Sequence, residues 1–392
     1  MATIPSWIKF ASEVASSLSE SSPSPAAAAV LTSIASSFGV MLIGCYAARS
    51  GWLGVDQRKG IAMLYSQLVF PTMVFKGVAA IDVAAIDWSV ALVVLASKAA
   101  LALIVLTYGL LTLRASHGRG AALSNAAAFA MAASHSFDVT LGVPLAKELY
   151  KAQVPYVYLN QSIQLVAVNP ILLMLMDFGD AAAKGSSAST LTVVRKALLS
   201  TAKNPLVVLT AAGILASQLS PGGLPPVTNA LATQVSAAGP CLGFLCLGFA
   251  LGALGGTTAI EGVHATVLCG AKIVLMPMLY VFFARRLGSG EAAASAAPLD
   301  FLAFLGALPA SASVYSLTLT RNLSPRVVGP LVPASMLLSV ALSLSPLFPA
   351  FASVGPLVHL GVTTVSLLAL HPRLRKAAVA EDPKPKPRPK KE

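Results

Sequence analysis

Apolar residues run along this chain in stretches of roughly twenty, separated by short polar turns, instead of alternating with polar residues on one face of a helix or strand. A helix of about that length crosses the ~30 Å hydrocarbon layer of a bilayer. The pattern predicts eleven helices: Ala26 to Ala48, Gly60 to Ala80, Trp88 to Leu113, Ala121 to Ala146, Tyr156 to Phe178, Asn204 to Leu219, Thr228 to Leu254, Val263 to Phe283, Leu299 to Thr320, Val327 to Phe351 and Val354 to Leu370. The last is marginal in length. Residues 1–25 and 372–392 lie outside the pattern and are expected to be disordered.

Composition narrows the class further. With 56% hydrophobic residues, 11% charged residues and a mean hydropathy of +0.77, a soluble globular fold is excluded, and an all-α multi-pass membrane protein is expected. The formal charge of +12 owes much to the Pro/Lys/Arg end of the chain and is no argument for nucleic acid. Met1 to Ser24 is Ser-rich, with Lys9, Glu13 and Glu20, and lacks the basic start and unbroken apolar core of a signal peptide, so the first span is expected to act as its own insertion signal. Cys45, Cys241, Cys246 and Cys269 fall inside apolar spans without metal or disulfide spacing and read as small buried residues.

Basic residues set an orientation. Loops after odd-numbered spans hold Arg49, Arg58, Lys59, Arg114, Arg119, Lys184, Arg195, Lys196, Lys203, Arg321 and Arg326, which the positive-inside rule places in the cytoplasm, leaving the N-terminus outside or lumenal. An eleventh span puts the basic run from Arg373 onward on the cytoplasmic side too. That run reads as a solubilising flank or as a contact for anionic lipid headgroups.

Two lysines break the apolar pattern at equivalent places in the two halves: Lys98 in the third span and Lys272 in the eighth. A charge at that depth costs a few kcal/mol by insertion scales, so it faces a cavity or partner inside the bundle. Prolines break the pattern as well. The fourth span contains Leu141-Gly142-Val143-Pro144 and the ninth Ala307-Leu308-Pro309, each predicted to interrupt its helix, and Pro71 and Pro240 lie inside the second and seventh. Five spans per half is an odd number, so the second half enters the membrane in the opposite sense. Five-plus-five inverted repeats, 26–178 and 204–352, with one broken helix each form a transporter pattern whose substrate site lies where the breaks meet. Broken helices expose backbone N–H groups at one half-helix start and carbonyls at the other half-helix end, which hold anions and cations respectively.

Around the first break, Asp138 is the one carboxylate well inside the span. It can take up a proton, coordinate a cation or pair with Lys98 or Lys272, and a purely structural salt bridge is the rival reading. His135 reads as a packing or hydrogen-bonding residue in preference to a proton relay. Ser311 and Ser313 at the second break either face substrate or bond their own helix backbone.

At these residues the chain resembles the auxin efflux carriers, or PIN-like transporters, over roughly residues 30–351. The resemblance is carried by Gly44-Cys45-Tyr46, Phe70-Pro71, Leu141-Gly142-Val143-Pro144, Leu149-Tyr150, Asn169-Pro170, Lys203-Asn204-Pro205 and the Pro309 motif. Within the family it looks closest to the branch forming the PIN-like N-terminal domain of animal lysosomal cholesterol sensors, through Asp87-Trp88-Ser89, Lys98, Asp138, Leu308-Pro309 and Ser313-Val314. The resemblance implies a ten-helix domain over 26–352, crossover helices four and nine, and a scaffold of helices one, two, six and seven that forms a homodimer. Together with the breaks and lysines read above, it gives candidate substrate contacts at Phe137, Asp138, Gly142, Pro144, Pro309, Ser311, Ser313, Lys98 and Lys272. Where the auxin carriers have an asparagine seven residues before the crossover proline, this chain has Phe137, and where they have a second proline it has Ser313.

The expectation is a secondary carrier of a small organic anion, auxin-like in chemistry, working by alternating access in the plasma membrane or an endomembrane. The alternative is a sterol or small-ligand sensor that uses the same fold without transport. Lys59, Tyr65 and Leu68 fit a loose cholesterol-contact pattern. No metal helix, nucleophile elbow or phosphate loop is present in the sequence, so neither an enzyme nor a cofactor is expected. Residues 353–371 form the extra helix of this reading.

Overall fold

The computed structural model describes residues 25–81, 86–184, 202–220, 223–253, 258–287 and 297–344, with isolated positions between 192 and 199. The N-terminal segment, the predicted eleventh helix and the basic tail lie outside the described residues. Within the described residues the chain is all-helical, and its one non-helical pairing is an isolated antiparallel bridge between Ser136 and Ala310.

Helix α1 is Pro25–Arg49 and α2 is Val55–Ala79. A continuous helical stretch, Trp88–Ser134, contains Gly118 at φ 72 and is therefore two helices, α3 (88–117) and α4 (119–134). After a gap at His135 to Phe137 comes α5 (138–149), followed by α6 (Lys151–Ala183), α7 (Pro205–Leu219), α8 (Pro226–Ala237), α9 (Gly239–Ala253) and α10 (Ala259–Leu287). The chain ends its described part with α11 (Leu299–Ala307), α12 (Ala312–Arg321) and α13 (Pro325–Leu344). By length and apolar composition α2, the 88–114 part of α3, α6, the α8–α9 pair and α10 can each cross a membrane. The chain is an integral membrane protein.

Local chemistry sets the helix starts. Asp87 accepts from the Ser89 N–H at the head of α3, Asn204 accepts from Leu206 N–H at α7, and Thr258 with Glu261 forms a reciprocal capping box at α10. Small residues set the closest crossings. A Cβ on Gly44 would stand 2.4 Å from the Leu245 carbonyl oxygen, and one on Gly248 would stand 2.1 Å from that of Met41, so α1 and α9 pack backbone to backbone. Elsewhere α2 packs on α7, α6 on the α3–α4 stretch, and α10 on α11 and α13. At one end of the bundle Arg321 pairs with Asp177 at 2.6 Å, and the Ser324 hydroxyl donates to Asn125 Oδ1 at 2.6 Å.

Prolines act here differently from the expectation. Pro144 does not break the fourth span, because the helix stops at Ser134, ten residues earlier, and Pro144 is half-buried in the first turns of the next segment. What precedes Pro144 is a π-helical turn, Asp138–Gly142, and the same relation recurs at three further prolines. Tyr65–Val69 precedes Pro71, Gln164–Val168 precedes Pro170, and Ala271–Leu275 precedes Pro277. A proline has no N–H for the carbonyl four residues back and its ring clashes with that carbonyl, and a widened turn relieves both problems without ending the helix. Pro309, by contrast, sits within the interruption between α11 and α12, as predicted.

The cysteines are less uniform than expected: Cys269 is buried, Cys45 and Cys246 are half-buried, and Cys241 is exposed. Among the described residues no His, Cys, Asp and Glu cluster could hold a metal ion.

Candidate functional site

The interruptions after α4 and before α12 meet in the interior. Phe137 N–H donates to the Pro309 carbonyl at 2.8 Å, and Ser311 N–H donates to the His135 carbonyl at 3.0 Å. The short antiparallel bridge satisfies backbone groups that both helix ends would otherwise leave bare in a dry interior. Ala310 N–H is taken by the Ser335 hydroxyl of α13 at 3.0 Å. Four helix ends therefore converge on one point, from α4, α5, α11 and α12.

Both lysines reach that point, and neither is exposed at all. Lys98 on α3 donates to the Ser134 carbonyl at 3.3 Å, which is the last carbonyl of α4, and to Gln164 Oε1 at 3.2 Å. A cation at a helix C-terminus is the favourable sign for the helix dipole. Lys272 on α10 donates to the Ser136 hydroxyl at 2.5 Å, two residues further along. Neither lysine forms an ion pair with Asp138, and the ion pair between Arg321 and Asp177 is the only one within 4 Å among the described residues. The structural salt bridge weighed from sequence is thus replaced by two ammonium groups bonded to neutral oxygens around the break. Asp138 is nonetheless within electrostatic reach of both.

Asp138 is buried at the start of α5. Its Oδ1 accepts from Asn160 Nδ2 at 2.9 Å, and Tyr280 Oη donates to Asn160 Oδ1 at 2.5 Å. Its Oδ2 has no hydrogen-bond partner among the described residues. A buried carboxylate oxygen without a donor is costly, and it marks the atom at which a proton, a cation or a ligand donor is wanted.

Amides from α6 build the opposite wall. Gln164 Nε2 donates to Asn169 Oδ1 at 2.7 Å and to the Ser134 hydroxyl at 3.3 Å, while Asn169 Nδ2 lies 3.4 Å from His135 Nδ1. Gln161 Nε2 lies 3.3 Å from His135 Nε2, and Gln161 Oε1 has no partner. A neutral imidazole has one acceptor nitrogen and one N–H. Turning the Gln161 amide over lets Oε1 accept from Nε2–H while Asn169 donates to Nδ1. Tied on both ring nitrogens, His135 is the hydrogen-bonding residue expected from sequence.

The remaining predicted site residues divide. Phe137 is buried, with its ring edge-on to Phe244 of α9 at 5.6 Å. Gly142 packs against the second interruption, since a Cβ there would lie 2.8 Å from Leu308 Cδ1. The Ser311 hydroxyl lies 2.8 Å from that of Ser313 and accepts from the Ser313 N–H at 3.4 Å, so it serves the start of α12. Pro309 lies in the crossing itself, whereas Pro144 stands two turns away from it.

Sequence reading missed Asn160, Gln161, Gln164 and Tyr280. The signal was present, because three amides within five residues of an apolar span are as unexpected as a lysine, and all three are fully buried. A second signal was the proline spacing. Tyr65, Asp138, Gln164 and Lys272 each lie in a π-turn that a following proline produces. Tyr65 meets Thr140 hydroxyl to hydroxyl at 3.1 Å, a polar tie between α2 and α5.

No protein-family model matches the chain. It is 26% identical over 301 residues to the lysosomal cholesterol signaling protein of Mus musculus, a match covering 74% of this chain and 34% of that protein. The chain thus spans about a third of the length of that curated relative.

Proposed function

We propose that this protein is a PIN-like secondary carrier, a five-plus-five inverted repeat that moves a small organic anion across a membrane by alternating access. The observation that carries the reading is the meeting of two interrupted helices, bonded from Phe137 to Pro309 and from Ser311 to His135, beneath two fully buried lysines. Structure for its own sake gains little from such a site. Apolar residues would fill it at lower cost, whereas ammonium groups against one carboxylate leave a positive excess suited to a monoanion. Each half contributes one lysine and one interruption, as an inverted repeat requires. The amide-rich wall of α6 and the Phe137 and Phe244 rings suit a ligand with an apolar body and one charged end.

A second reading is favoured by the relative. Its name, a cholesterol signaling protein, supports a sterol or small-ligand sensor that binds without completing transport, and supports an endomembrane location. Neither reading involves an enzyme reaction or a cofactor. Membrane lipids surround the bundle, and a homodimer through the α1, α2, α7, α8 and α9 side belongs to the carrier reading.

Counterflow separates the two. Reconstituted vesicles preloaded with unlabelled small carboxylates or sterols are given a labelled trace outside. A carrier accumulates the label above its equilibrium level, whereas saturable binding without accumulation replaces the carrier by the sensor.

A further inference from the structure

The Tyr280 hydroxyl hydrogen faces the group that in turn faces Asp138. The amide of Asn160 sits between the two, with Tyr280 Oη donating to its oxygen at 2.5 Å and its Nδ2 donating to Asp138 Oδ1 at 2.9 Å. All three side chains are buried, at 1% exposure or less, so no solvent competes for these bonds. An amide can turn over and offer either its N–H or its oxygen to a carboxyl group. A phenol shares its lone pair with the ring and is a better donor than acceptor, so it holds the amide oxygen and leaves Asn160 only its N–H for Asp138.

We propose that Tyr280 is a positioning residue that acts through Asn160 to keep Asp138 Oδ1 an acceptor, so that Oδ2 is the one carboxylate oxygen exchanging protons during the transport cycle. Two independent observations meet in it: the fixed donor chain on Oδ1 and the absence of a partner for Oδ2 among the described residues. The inference rests on the carrier reading of the crossing and deepens it. The other charged groups facing this carboxylate are Lys98 from α3 and Lys272 from α10. His135 lies on the same connecting segment, tied to Gln161 and Asn169 of α6, and Tyr65 approaches from α2 through Thr140.

A chain of hydrogen bonds polarises its members, so the Tyr280 donor strengthens the Asn160 N–H as a partner for the ionised acid. Removing it weakens that bond and frees the amide to accept from the protonated acid. Both effects favour protonation, so the titration of Asp138 moves to higher pH.

The test is an infrared pH titration of the whole protein in lipid vesicles without any substrate, using Asp138→Asn to assign the carboxyl band. In Tyr280→Phe the midpoint should rise by roughly one pH unit, the equivalent of a tenfold change in protonation. In Asn160→Leu it should rise further, and the protonated-acid carbonyl band should move to higher wavenumber because Oδ1 loses its donor. Adding Tyr280→Phe to Asn160→Leu should then produce no further shift, because Tyr280 acts only through Asn160. A folded Tyr280→Phe protein with the wild-type midpoint, or shifts that add in the double variant, overturns the positioning role alone. A wild-type Asp138 that titrates nowhere in the stable pH range overturns proton exchange at this residue as well. Since no substrate is present, failure to find a transported anion leaves this result readable.

Discussion

Replacing Lys272 by methionine should lower anion affinity while leaving the fold intact or firmer. Methionine keeps the length and most of the volume of the side chain in a site with no exposure, so packing changes little. What is lost is one ammonium whose protein partner is a neutral hydroxyl, that of Ser136. Losing that partner costs the hydroxyl about 1 kcal/mol, but the desolvation of a buried cation, worth several kcal/mol, disappears with it. Stability therefore holds or rises. A bound carboxylate loses a charge-assisted hydrogen bond of about 1.5–3 kcal/mol, so its Kd should rise roughly 10- to 150-fold. Thermal unfolding in detergent gives the first quantity, and competition binding of labelled small carboxylates in vesicles gives the second. Unchanged affinity in Lys272→Met and in its double variant with Lys98→Met would show that the lysines are structural. A large loss of stability with unchanged affinity would refute the charge argument from the other side.

Asp138→Asn should abolish the pH dependence of transport or binding while the protein remains folded, since Asn keeps nearly the same volume; His135→Ala should leave the pH profile largely intact, and a wild-type profile in Asp138→Asn transfers proton coupling elsewhere. Gly306→Ala should lower the melting temperature more than Gly142→Ala. At Gly306 the new Cβ meets Pro277 backbone at 2.5 Å, whereas at Gly142 it meets the movable end of Leu308 at 2.8 Å; overpacking costs about 1–3 kcal/mol, with the backbone clash at the upper end, and equal melting shifts contradict this ordering of the two crossings. Protease or glycosylation tags should place the basic loop 184–203 in the cytoplasm and the N-terminus on the opposite side; both chain ends on one side removes the eleventh helix.

The helices were legible because burial in lipid writes itself as uninterrupted apolar runs, and the lysines because a lone charge in such a run needs a reason. Pro309 was legible as an interruption. The first interruption was misplaced because two physical effects share one residue type. Proline can end a helix or widen one turn of it, and only the surroundings decide which. At Pro144 the preceding Asp138–Gly142 turn absorbs the defect, while the helix actually ends where His135 and Phe137 find backbone partners on the other half of the chain. Those partners lie more than 170 residues away in sequence, so no local pattern announces them. The pairing weighed as one option between Asp138 and a lysine does not form, for a related reason. Ser134 O, Ser136 Oγ and Gln164 Oε1 supply acceptors nearer to the ammonium groups. Asn160 and Tyr280 gave no motif, yet an amide-rich segment inside an apolar span carries the same warning as a charge.

The central claim is that ligand binds where the interrupted helices meet. A cryo-EM reconstruction of the protein in lipid nanodiscs, saturated with the anion that gives the strongest counterflow, tests it directly. The account predicts density for the anion's charged end between Lys98 and Lys272, beside Asp138 and the Ser136–Ala310 bridge. Density confined to a lipid-facing groove, with the crossing unchanged from the ligand-free protein, would contradict it.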